Sequence, residues 1–87
     1  MPTIIQLFGW RIYFYANEGN EPIHVHCESG EKEAKFWLDV KNFDISEAYS
    51  YSLNTRDKRI VRKIIFQHFE EIVKAWEQCH GKAKKDS

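Results

Sequence analysis

Apolar and polar residues alternate through the first half of this chain, then switch to a spacing of three and four. Side chains on a strand point to opposite faces with period two, whereas helical neighbours recur every 3.6 residues. Thr3 to Phe8 (TIIQLF) reads as a first strand, and Gly9 as a natural reversal. Trp10 to Ala16 reads as a second strand, with Ile12 and Phe14 on one face and Arg11, Tyr13 and Tyr15 on the other. Asn17 to Pro22 has the composition of a loop. Ile23 to Glu28 is the third strand: Ile23, Val25 and Cys27 share one face, and His24, His26 and Glu28 share the other. After a polar turn at Ser29–Lys32, Glu33 to Val40 forms the fourth, with Lys35, Trp37 and Asp39 opposite Ala34, Phe36 and Leu38. The stretch 41–54 has a mixed period and reads as a short fifth strand or an irregular arm.

From Thr55 the pattern is that of an amphipathic helix, with Ile60, Ile64, Ile65, Phe69, Ile72, Val73 and Trp76 on its apolar stripe. Asn54 or Thr55 can cap its start and Gly81 its end. A continuous helix over 55–80 would be ~39 Å long, more than a small sheet needs. It therefore breaks near Gln67-His68, or its second half extends to a partner. Residues 82–87 read as a frayed polar tail. The expected fold is α+β in a single domain, 1–87: an antiparallel sheet of four to five strands (3–40), the arm, and one long C-terminal helix packed on one face. That helix covers Ile12, Phe14, Ile23, Val25, Cys27, Phe36 and Leu38. The opposite face stays open to solvent, as antiparallel sheets permit.

Thirteen basic residues balance thirteen acidic ones. Bulk charge therefore points to neither nucleic acid nor membrane, and any basic patch must be local. Two cysteines do not make a disulfide framework. With no charged leader and no apolar run near the length of a membrane span, the expectation is a cytoplasmic protein that makes no membrane contact.

The open face would gather Arg11, Tyr13, Tyr15, His24, His26, Glu28, Lys35, Trp37 and Asp39. Histidine titrates nearest physiological pH, so four readings arise. The rings can be packing residues of a decorated sheet. They can ligate a metal, with Glu28 or Asp39 as third ligand. They can serve as base and acid in metal-independent RNA cleavage, with Glu28 assisting and Arg11 stabilising the phosphorane. In that case Tyr13, Tyr15, Lys35 and Trp37 would hold substrate by stacking and charge. Finally, the face can bind a protein, since aromatics and arginine are enriched at interface hot spots. The run Arg56, Lys58, Arg59, Arg62 and Lys63 is a solvated helix face by default and a phosphate-contacting one in the sharper reading.

Met1-Pro2-Thr3-Ile4, Asn17-Glu18-Gly19-Asn20-Glu21-Pro22 followed by His24-Val25-His26, Glu33-Ala34-Lys35-Phe36-Trp37-Leu38-Asp39 and Ala75-Trp76 together resemble a small prokaryotic domain-of-unknown-function family. Members often carry Pro-His-x-His-Val at the third strand. Here Ile23 stands between Pro22 and His24, and Cys27 follows His26. The resemblance implies grouping with toxin–antitoxin-like gene pairs, and hence a partner protein from a neighbouring gene. Taken together, the expectation is a toxin-like, partner-dependent protein acting on RNA as a ribonuclease through His24, His26, Glu28 and Arg11, with no cofactor. The alternatives are a non-catalytic protein-binding subunit of a two-gene complex and a metal-binding His-x-His site. A homo-oligomer is compatible with each.

Overall fold

The computed structural model describes residues 3–80. The proposed frayed tail and the Gly81 helix stop lie outside them. Five strands, β1 (Thr3–Leu7), β2 (Trp10–Tyr13), β3 (His24–Ser29), β4 (Lys32–Asp39) and β5 (Asp44–Tyr51), precede two helices, α1 (Thr55–Gln67) and α2 (Phe69–His80). The strands pair in sequence order, each antiparallel to the next. Phe8 and Gly9 both adopt positive φ, 54° and 80°. This is what a two-residue turn between twisted strands requires.

The expected arm is a full edge strand. Lys35 pairs with Tyr49 but Phe36 pairs with Glu47, so Ala48 is an extra residue opposite β4. Such a bulge shifts the two-residue period by one. Ser46, Tyr49 and Tyr51 therefore share a face despite their uneven spacing. That shift is why the sequence there shows no clean alternation.

The core lies between one sheet face and the helices. Ile12, Val25, Cys27, Ala34, Phe36, Leu38 and Ile45 meet Val61, Ile64, Ile65, Phe69 and Ile72. Val61 is fully buried, while Ile60 and Val73 pack at the margin. The helical stripe is thus turned slightly from the one expected. Asn54 caps α1: its side chain accepts the Asp57 N–H at 2.8 Å, and the Asp57 carboxylate accepts the Asn54 N–H at 3.3 Å. Lys32 reaches Asp57 at 3.0 Å, tying the helix start to the β3–β4 hairpin.

The single long helix is corrected to two. His68 leaves helical geometry, with φ −115° and ψ 25°, and its N–H caps α1 on the Ile64 carbonyl. Neither proline nor glycine causes the break. An eight-residue strand spans only about 26 Å, well short of a straight 26-residue helix. Bending at His68 lets Ile72 and Trp76 stay buried.

Candidate functional site

Cross-strand partners share a face, so the register sorts the outer face into rows. In one row Arg11 pairs with Glu28, Glu28 with Glu33, and Glu33 with Tyr51. In the next, Tyr13 pairs with His26, His26 with Lys35, and Lys35 with Tyr49. In the last, His24 pairs with Trp37, and Trp37 with Ser46. All eight residues expected at the site lie on or beside this face. Tyr49 and Tyr51 join them, hidden from sequence reading by the Ala48 bulge. Their rings lie 5.3 Å apart.

The expectation of a solvent-open histidine pair is corrected. His24 is 0 % exposed and His26 only 7 %. His24 begins β3, at the end of the sheet, where α2 passes. Its ring meets Trp37 at 5.3 Å, Trp76 at 5.1 Å and His26 at 5.3 Å. His24 Nδ1 lies 2.9 Å from the Pro22 carbonyl, which can only accept, so Nδ1 carries the proton. His26 stacks on Tyr13 at 5.4 Å and meets Tyr15 edge-on at 5.2 Å. Strand alternation gave the correct parity for both histidines. Their burial comes from aromatic neighbours on β2, β4 and α2.

The cations of the face are paired. Arg11 donates to Glu28 at 2.7 Å and lies 4.4 Å from the Tyr13 ring centroid. Lys35 donates to Glu21 at 3.3 Å and sits 4.4 Å from the Trp37 centroid. Glu21, from the loop before β3, also comes within 4.0 Å of His24 Nδ1. Asp39 binds Asn42 through both its oxygens, and these bonds hold its carboxyl below the usual range. It serves the β4–β5 turn. Among the described residues no three His, Cys, Asp or Glu side chains are placed to hold a metal.

Burial, then the hydrogen bond and charge of Tyr15, push the Tyr13 hydroxyl far above its ordinary value. Tyr13 is therefore neutral at any physiological pH. Tyr15 and Tyr51 are exposed, and Tyr49 and Trp37 are half-buried. On the basic helix face Arg56, Arg59, Arg62 and Lys63 are exposed, and Lys58 pairs with Glu47 at 3.5 Å.

His80, for which spacing alone suggests no role, closes this end of the molecule. Its Nε2–H donates to the carbonyls of Tyr15 at 3.2 Å and Ala16 at 3.0 Å. Its ring packs on Trp76 and Phe14, with centroids 4.2 and 5.2 Å away.

A family described as Domain of unknown function (DUF4160) matches residues 9–77. That match spans most of the chain, and the protein belongs to this family. No curated protein and no solved structure matches it. No helix among the described residues is long and apolar enough to cross a membrane.

Proposed function

We propose that this protein is a non-catalytic binding subunit of a two-protein complex, presenting the aromatic outer face of its sheet to a partner encoded nearby. The reading rests on one observation. His24 and His26 are enclosed and Arg11, Glu28 and Lys35 are ion-paired, while Tyr15 and Tyr51 are exposed and Tyr49 and Trp37 half-buried. A general acid or base must come within hydrogen-bond reach of its substrate, and His24 has no accessible surface. Phosphate recognition draws on cations that displace counterions from the nucleic acid, whereas Arg11 and Lys35 already face carboxylates. Exposed tyrosine and half-buried tryptophan are what interface hot spots are made of.

The test is titration of the purified protein with the product of the neighbouring gene, followed by calorimetry. Tyr15→Ser and Tyr51→Ser should each weaken binding about tenfold or more without unfolding the protein. Cleavage of a mixed RNA pool by folded protein, lost in His26→Ala, would instead establish the toxin-like ribonuclease.

A further inference from the structure

A second surface lies on the helix side, away from the aromatic sheet face. At the bend between α1 and α2, Phe43, Phe66 and Phe69 cluster, with ring centroids 5.6 Å apart for Phe43–Phe66 and 4.7 Å for Phe43–Phe69. They line a groove of about 540 Å³ with Gln67, His68, Glu70, Glu71 and Lys74. It continues along α2 past Val40, Val73 and Glu77. Phe69, Val73 and Glu77 recur at four-residue steps along α2, so one flank of the groove follows a single helix face. Phe43 is 55 % exposed and Val40 50 %.

The turn that carries Phe43 is built at a cost. Phe43 has φ 52°, a left-handed conformation strained for a residue with a large side chain. The Asp39–Asn42 bonds and the Phe43 N–H to the Val40 carbonyl, 3.4 Å, hold it there. The turn thus projects an aromatic ring over the groove while leaving half of it in water. The charges around the groove are unequal along its length. At the α1 end Glu71 is bonded to His68 at 2.7 Å and Arg62 lies 5.8 Å from the Phe66 ring centroid. Along α2, Glu70 and Glu77 flank Lys74, the single cation among the described residues lining that stretch.

We infer that this groove is a docking site for a basic amphipathic helix of a partner protein. Its apolar face packs against Val40, Phe43 and Val73, and its lysines or arginines face Glu70 and Glu77. A helix fits because the groove flank is itself a helical stripe, which takes a second helix by ridge-into-groove packing. A basic one fits because the rim is acidic, and opposite potentials set both specificity and encounter rate. This inference does not depend on the sheet-face reading, since Phe43 and Tyr51 are altered in separate variants.

The probe is a fluorescently labelled synthetic amphipathic helix of leucine and lysine, with a twin in which every lysine is glutamate. Anisotropy should show the lysine peptide binding, and binding weaker in high salt. Phe43→Ser should weaken it about tenfold, as should Glu70→Lys combined with Glu77→Lys. Phe8→Ser, an exposed aromatic at the β1–β2 turn, should leave it unchanged. Circular dichroism would verify that each variant is folded. Equal binding of the glutamate peptide would overturn the inference, as would indifference to Phe43→Ser. Self-association that Phe43→Ser abolishes would give the groove to a second copy of this chain and overturn it as well.

Discussion

The imidazole of His80 fastens the last turn of α2 to the loop before β3, its Nε2–H lying 3.0 Å from the Ala16 carbonyl. The same loop approaches the ring so closely at Gly19 that a Cβ there would stand 2.9 Å from His80 Cδ2. Glycine is thus required by space rather than by backbone angle. Gly19→Ala should cost about 1–3 kcal/mol, as overpacking does, and His80→Ala about 1 kcal/mol or more for its hydrogen bonds. Urea denaturation of both variants measures this. Unchanged midpoints would show that the contact contributes nothing to stability.

His24 should behave as a core residue. Its ring fills the space between Trp37, Trp76 and His26. His24→Ala should lower stability by about 2–4 kcal/mol, in the range of large-to-small core changes. Ile64→Ala, on the buried stripe of α1, should cost a similar amount. A His24→Ala protein as stable as the parent would mean that the ring is not packed as described.

The two thiols should differ in reactivity. Cys27 is fully buried in the core, and burial pushes its thiol far above the ordinary value. Cys79 is exposed. Since the thiolate is the reactive form, a thiol reagent at neutral pH should label Cys79 at once. Cys27 should react only as the protein opens. Mass spectrometry over time would reveal two labelling phases. A single fast phase covering both would contradict the burial of Cys27.

Acid should weaken the α1 cap. The hydrogen bond from Lys32, aided by the Asn54 N–H, holds the Asp57 carboxyl below its ordinary 3.8. A depressed folded value stabilises the protein above the unfolded pKa, and that contribution is lost as pH falls through the folded value. Stability should therefore decline below about pH 3.8, and the decline should be shallower in Asp57→Asn. Asn54→Ala, which removes the other half of the capping box, should cost about 1 kcal/mol at neutral pH. Denaturant midpoints across the acid range test both. Parallel pH profiles for parent and Asp57→Asn would refute the role of this carboxylate.

Local pattern alone determined much of this protein. Alternation from Trp10 to Asp39 placed Ile12, Val25, Cys27, Phe36 and Leu38 in the core and put both histidines on the opposite face. It could do so because strand parity is set by the backbone. Helical spacing and the Asn54 cap located the start of α1. The excess length of 55–80 left open a break near Gln67-His68 or an extension to a partner, and only the structure replaced the one long helix with two. What tertiary structure decided is whatever depends on a neighbour distant in sequence. Trp76, on the last helix, joins Trp37 in enclosing His24, so a residue of outward parity became a buried one. An extra residue at Ala48, defined only by its partner strand, brought Tyr49 and Tyr51 onto the outer face. His80 found its acceptors some sixty residues back, at Tyr15 and Ala16. Periodicity reports which way a side chain points. Whether it meets water there depends on what the rest of the chain brings against it.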